Sequence, residues 1–259
     1  MSDQLRAIVL AAGKGTRLQT DGCDLPKVMR PACGRPLLWY VLDALSFIPK
    51  DDIAIVVGYK KDDVMSHFPD YHFAVQAEQL GTGHAVLAAR QYIDGFDGSV
   101  LVCCGDMPLI QKSTYESLAR EHFANSFDCT ILSGPSDIPL PYGRIIRAQD
   151  GSFLRMVEDR DCSDDEKKVT ELNSGVYVFR ARALLSALSG LHNHNAQREY
   201  YLTDVPAILQ NAGARVGICQ RDLGSEIIGV NKVEQLEQVE RIIQNSDRRH
   251  TFTDERYFL

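Results

Sequence analysis

Val9-Leu-Ala-Ala-Gly-Lys-Gly-Thr-Arg-Leu18 ends an apolar run in two glycines one residue apart, with Lys14 between them and Arg17 just beyond. An apolar run that breaks into such a turn reads as a buried strand entering a βα unit. The glycine spacing then narrows what the turn can hold. A dinucleotide fingerprint needs a third glycine for close strand–helix packing, and Leu18 stands in its place. A P-loop needs four residues between its first glycine and a Gly-Lys-Ser/Thr triplet, and Gly13-Lys14-Gly15-Thr16 has another order. What remains open is a turn that presents N–H groups to an anion, helped by Lys14, Arg17 and the later Lys27, or a glycine-rich turn with solvated cations.

Outward from this turn, short β-branched runs alternate with amphipathic stretches. Residues 7–10, 53–57 and 100–103 read as buried parallel strands, and residues 37–45 and 84–92 as helices. This rhythm predicts a doubly wound sheet. Beyond residue 140 the pattern changes: 142–147, 153–157 and 175–179 read as strands joined by polar loops, with helices over 203–211 and 232–243. The fold class expected is therefore α/β, doubly wound and Rossmann-like, with a sheet that becomes mixed. Residues 159–166 and 191–198 read as exposed loops, neither of them a domain linker. One domain over 1–259 is expected, with its pattern changing at about 140 and again at about 230, and with a C-terminal helix and tail over about 231–259.

With 259 residues, 44% of them hydrophobic, the chain can bury a large core. Its net charge of -7 argues against a broad nucleic-acid-binding face. The N-terminal apolar run is broken by Gly13 and followed by charges, which suits neither a signal peptide nor a membrane span. A cytoplasmic location is expected. The seven cysteines include the neighbours Cys103 and Cys104 and form no Cys-x-x-Cys, so they read as reduced thiols and not as a disulfide or zinc framework.

In open α/β sheets ligands sit beyond the carboxyl ends of the strands. Gly105-Asp106-Met107-Pro108 puts a carboxylate there, as a turn former or as a Mg²⁺ ligand whose octahedron phosphates would complete. Asn231 reads as a helix N-cap or as a neutral oxygen ligand. The run from Gln76 to Gly83 offers amides and a small-residue turn suited to a base edge, or simply a helix start. Tyr142-Gly143-Arg144, Glu158, Asn173 and Thr203 are scattered polar residues near strand ends.

Taken together, VLAAGKGTRL, DLPKVM (24–29), QAEQLGTGHA (76–85), CGDMPLI (104–110), YGRIIR (142–147), VEDRD (157–161), ELNSGVYVF (171–179), EYYLTD (199–204) and GVN (229–231) resemble the uridylyltransferase domain of bacterial N-acetylglucosamine-1-phosphate uridylyltransferases. The resemblance is collinear from about residue 6 to 245. It implies the nucleotide-diphospho-sugar transferase fold and Mg²⁺-dependent transfer of UMP from UTP to N-acetylglucosamine 1-phosphate, releasing pyrophosphate. It also implies a nucleotide site at Ala11, Ala12, Gly13, Lys27, Gln76, Gly81 and Thr82, with Arg17, Lys27 and Asp106 in catalysis. The sugar site falls on Gly143, Glu158, Asn173, Tyr201 and Thr203, and Asp106 and Asn231 hold the metal. Partners are then UTP and a sugar 1-phosphate, with no nucleic acid and no membrane, and the oligomeric state stays open.

The chain departs from the family's pattern at Gly22 and Cys23, which lengthen a loop, at Cys104 in place of an aromatic residue, and at Pro139 to Pro141. Those departures bear on base and sugar choice, and transfer to another sugar 1-phosphate or another nucleotide is the alternative. A non-catalytic sugar-nucleotide-binding module is a further alternative, while a nicotinamide oxidoreductase is disfavoured by Leu18. The tail SDRRHTFTDERYFL contains no hexapeptide repeat of the kind that forms the family's acetyltransferase β-helix. Uridylyl transfer without acetyl transfer is the expectation.

Overall fold

The computed structural model describes residues 4–15, 18, 24–136 and 140–246. Arg17, Gly22, Cys23, Pro139 and the last thirteen residues lie outside them. The apolar runs become strands because β-branched side chains pack well on both faces of a covered sheet. Among the described residues the main sheet has nine strands. Strands β1 (Leu5–Leu10), β4 (Ile53–Val57), β5 (His72–Val75) and β6 (Ser99–Cys104) run parallel. The register puts Leu10 beside Val56 and Cys104, so these strands end on one edge.

β10 (Glu171–Arg180) runs antiparallel between β6 and β7 (Cys129–Pro135), and β11 (Val216–Gln220) joins β7 in parallel. The hairpin of β8 (Arg144–Arg147) and β9 (Phe153–Val157) attaches to the start of β10. A separate two-stranded ribbon pairs β2 (Pro31–Ala32) with β3 (Arg35–Pro36).

The strand alternation sorts side chains onto two cores. Ala7, Val9, Ile55, Leu101 and Cys103 face one, where α1 (Leu37–Ala44), α4 (Lys112–Ala124) and α7 (Val233–Asn245) contribute Leu38, Leu118 and Ile243. Ile8, Val56, Val100 and Val102 face the other, with Val86, Leu184 and Leu209 from α3 (Thr82–Ala88), α5 (Ala181–Leu188) and α6 (Val205–Asn211). The α2 helix (Lys61–His67) adds Val64 to the first core. Helices on both faces make the sheet doubly wound, and β10 makes it mixed.

The helix expected over 84–92 begins earlier, at Thr82, and gives way to a 3₁₀ turn over Arg90–Tyr92. The strand expected over 175–179 is twice that length. Its early half pairs with β8 at Leu172, its late half pairs with β6 from Tyr177, and an irregularity between Asn173 and Tyr177 separates the two. β10 is thus a fork, with β6 and β8 sharing one of its sides. The mouth of that fork opens at the strand ends where ligands bind in such sheets.

No helix of the described residues is long and apolar enough to cross a membrane.

Candidate active site

The turn after β1 is shaped by packing. Gly15 has φ +63°, and a Cβ there would lie 2.6 Å from Lys27 Cβ, so a glycine is what lets the Lys27 stem lie against the turn. Leu18, the residue in the third-glycine place, is buried in the first core. Lys14 is exposed and its ammonium stands 5.4 Å from the Tyr59 ring centre. Lys27 opens a 3₁₀ turn whose Val28 and Met29 are buried, which anchors the segment and leaves the long side chain free to reach β6.

Lys27 Nζ donates to Asp106 Oδ2 and, at 2.7 Å, to Asn231 Oδ1. These three residues come from three separate stretches of the chain, 79 and 204 positions from Lys27. Asp106 is placed by Gly105 N, which donates to Leu10 O at 2.9 Å and continues the β6–β1 ladder past its last pair. Asn231 is placed by the backbone: Val230 N donates to Asp106 O at 2.9 Å, and Asn231 N donates to Gln235 Oε1 at 2.7 Å. The N-cap of α7 is Lys232, so the Asn231 side chain is available to the cluster.

A carboxylate oxygen and an amide oxygen therefore converge on one cation. Such an all-oxygen donor pair, borne by one carboxylate, suits Mg²⁺, which keeps waters and phosphates for its remaining positions. The residues fit the metal that the resemblance implies.

Beside this cluster lies a cavity of about 180 Å³ lined by Cys104, Asp106, Tyr142, Gly143, Glu158, Asn173, Thr203 and Asn231 among others. It occupies the fork of β10. Asn173 holds the irregularity open: its Oδ1 accepts from Gly175 N at 3.0 Å and its Nδ2 donates to Tyr177 Oη at 2.7 Å. Asn173 N donates to Gly143 O at 2.8 Å, tying the loop before β8 to the same point. Glu158 accepts from Thr203 Oγ1 at 2.9 Å. Burial raises the Glu158 carboxyl above the ordinary carboxylate range, the Thr203 hydrogen bond opposes this, and the nearby Asp204, Asp161 and Asp159 charges add to it. Burial likewise holds the Cys104 thiol well above its usual range, so it is a neutral part of the wall.

The residues expected on the base side lie along the ends of β1, β4 and β5, and one of them, Thr82, also lines the cavity. Ala11 N donates to Val56 O at 2.8 Å, and Ala12 O accepts from Tyr59 N at 3.4 Å. Gln76 is buried; its Nε2 donates to Gly81 O at 3.1 Å and faces His84 Nδ1 at 3.1 Å. With the amide nitrogen so engaged, the Gln76 oxygen is the atom left to accept. Gly81 caps α3 at φ +110°, where a Cβ would meet Tyr200 O at 2.6 Å, and Thr82 Oγ1 accepts from Leu202 N at 3.0 Å. Gly13 is exposed at the tip of the turn.

Not all expected residues share the cavity. Tyr201 lines a neighbouring cavity of about 400 Å³ with His192, His194 and Asp204, and its hydroxyl accepts from Gln197 Nε2 at 2.9 Å. Glu158 borders both. Arg17 lies outside the described residues. Ser174 and Leu202 line the cavity without having been singled out by sequence; their motifs mark the stretch but nothing in residue type marks the side chain.

Residues 7–205 match the model of the MobA-like NTP transferase domain. Curated relatives include the Bifunctional protein GlmU of Alkaliphilus oremlandii, 42% identical over 242 residues that make up 93% of this chain and 52% of the relative. The Bifunctional protein GlmU of Clostridioides difficile is 38% identical over 240 residues, 92% of this chain and 51% of that protein. The chain spans about half the length of the curated relatives it matches. Among solved structures, a UDP-glucose pyrophosphorylase complexed with UDP-glucose has a TM-score of 0.75 at 18% identity, covering 92% of this chain and 98% of that one. A putative glucose-1-phosphate thymidylyltransferase from Bacillus anthracis has a TM-score of 0.73 at 18% identity, covering 98% and 99%. These two share the fold, and the match over most of its length makes the chain a member of the MobA-like NTP transferase domain family.

Proposed function

We propose that the chain transfers UMP from UTP to N-acetylglucosamine 1-phosphate, giving UDP-N-acetylglucosamine and pyrophosphate, as a Mg²⁺-dependent enzyme of the cytoplasm. The observation that carries the reading is the meeting of Asp106 and Asn231 on the Lys27 ammonium, next to a cavity lined by Glu158, Asn173 and Thr203. The motifs that resemble the uridylyltransferase family, and relatives about 40% identical over nearly all of this chain, support the substrate pair.

In the reaction an oxygen of the sugar phosphate attacks the α-phosphorus of UTP while the bond from that phosphorus to the bridging oxygen breaks. No protein nucleophile is required. Asp106 and Asn231 would hold Mg²⁺, which when bound supplies positive charge to the phosphates. Lys27, drawn from its present partners by phosphate oxygens, and Arg17 would offset charge on the pentacoordinate centre and the leaving pyrophosphate. Ala11 to Gly13 would present the turn's backbone to the nucleotide. Gln76, with its nitrogen turned to Gly81 and His84, would accept from uracil N3–H, a proton that cytosine lacks. Gly143, Glu158, Asn173, Tyr201 and Thr203 would orient the sugar, so that positioning carries much of the acceleration.

The test is pyrophosphate release by the purified chain with UTP, Mg²⁺ and N-acetylglucosamine 1-phosphate, each omitted in turn. Release that needs all three is expected. Release equal with CTP or GTP would overturn the base assignment.

A further inference from the structure

Tyr142 stands between the two sides of the cavity. Its backbone belongs to the sugar side: the carbonyl accepts from the Arg144 guanidinium, itself paired with Asp159 at 3.1 Å, and the next residue is Gly143, bound to Asn173. Its side chain belongs to the other side, where the phenol oxygen accepts from Gly229 N at 2.8 Å. Gly229 begins the segment that ends in Asn231. In the hydrogen bonds that hold this segment, Val230 N donates to Asp106 O, Asn231 N donates to Gln235 of the following helix, Asn231 Oδ1 accepts from Lys27, and the bond from Gly229 to Tyr142 is the one that leads to the sugar-side loop. The contact is tight: a Cβ at Gly229 would lie 2.9 Å from the phenol oxygen, so a side chain there would push the ring away. Burial pushes the Tyr142 phenol up to about 12, so it is neutral across the working range.

We propose that Tyr142 is a positioning residue that couples sugar-phosphate binding to cation binding by carrying order from the loop before β8 to Gly229 and so to Asn231. The coupling rests on the reading of Asp106 and Asn231 as the metal-holding pair. Binding on the sugar side fixes the 141–143 backbone, the fixed phenol restrains Gly229, and the restrained segment presents Asn231 Oδ1 beside Asp106. Linkage makes the effect reciprocal: a bound cation tightens the sugar phosphate by the same factor.

The test uses the full chain and its Tyr142→Phe variant, which keeps the ring and removes the acceptor. Mn²⁺ is titrated with and without N-acetylglucosamine 1-phosphate and followed by electron paramagnetic resonance. In metal-free protein the amide hydrogen exchange of residues 229–231 is followed with the same sugar phosphate. The sugar should tighten Mn²⁺ in the wild type by at least about fivefold and slow exchange at 229–231. In Tyr142→Phe the Mn²⁺ gain should shrink toward unity and the protection should vanish. An equal gain and equal protection in the variant would overturn the proposal, as would a wild type in which the sugar protects nothing at 229–231. Should the variant fail to fold, Gly229→Ala breaks the same contact from the other side. If Asp106→Ala binds Mn²⁺ as the wild type does, the metal assignment is what fails, and the exchange arm still decides the coupling through Tyr142.

Discussion

β6 carries a polar cluster at each end, and the two are built to opposite ends. At its start, Ser99 Oγ lies 3.0 Å from His122 Nε2, and His122 Nδ1 lies 2.9 Å from Thr130 Oγ1. All three are buried, uncharged and closed on one another. Just past its other end Asp106 meets Lys27 and Asn231, all three partly exposed and two of them charged, beside an open cavity. A closed neutral cluster has nothing left to offer a ligand, and its hydrogen bonds serve to satisfy buried groups. An open charged one keeps oxygens that can exchange a lysine for another cation. The first should govern stability and the second turnover.

The two clusters should differ most at Asp106. Asp106→Ala should lower turnover by about 10²–10³ or more through lost electrostatic stabilisation of the transition state, while its unfolding midpoint stays near that of the wild type. A variant with near-normal turnover, or one that loses activity only by unfolding, would erase the distinction between the two clusters.

The pH dependence of stability probes the other end. Burial pushes the His122 imidazole down from 6.5 to about 4, with the Arg180 charge adding to it. The unfolded chain therefore binds the His122 proton more readily, so the stability due to its neutral form is complete above 6.5 and is lost as pH falls from 6.5 toward 4. The full loss is about 3 kcal/mol. Denaturant unfolding between pH 7 and 4 should show this decline, and His122→Leu should show less of it, having already lost the partners of Ser99 and Thr130. A decline of the same size in His122→Leu would place the acid sensitivity elsewhere.

Asn231→Ala should also reduce turnover, by less than Asp106→Ala, because a neutral ligand contributes less charge and water can replace part of it. A loss equal to that of Asp106→Ala would make the amide an equal partner. The smallest effect expected is in sugar choice. On the proposed assignment of Glu158 and Asn173 to the sugar, N-acetylglucosamine 1-phosphate should exceed glucose 1-phosphate in kcat/KM by about tenfold to a hundredfold. Equal values would mean that these groups read something other than the 2-substituent.

Much of the fold was legible because residues 7–10 of β1, 53–57 of β4 and 100–103 of β6 are unbroken apolar runs, as a strand buried on both faces requires. β7 is not legible in the same way. Its Thr130 and Ser133 are buried polar groups, satisfied by His122 of the preceding helix and by Glu171 of β10, which accepts from Ser133 Oγ at 2.6 Å, and neither pairing shows in the strand's own residues. β5 shows little signal because only Ala74 of its four residues is buried at the sheet edge. At the site, residue types announced Asp106 and Lys27, and the spacing said nothing of their meeting with Asn231, which depends on how α7 returns to the strand edge. The fork of β10 was hidden too, since it rests on an irregularity held by Asn173 and not on any apolar pattern. Tyr142 looked like one more polar residue near a strand, and only its bond to Gly229 gives it a place between the two sides.

On the proposed reading, the open end of β6 serves nucleotidyl transfer, with the α-phosphorus as the point of attack. UTP labelled at the α-phosphorus, incubated with the chain, Mg²⁺ and N-acetylglucosamine 1-phosphate, tests it most directly. The label should appear wholly in UDP-N-acetylglucosamine, in step with unlabelled pyrophosphate. Label recovered as UDP, or no label in the sugar nucleotide while UTP stays intact, would rule out attack at the α-phosphorus by this chain.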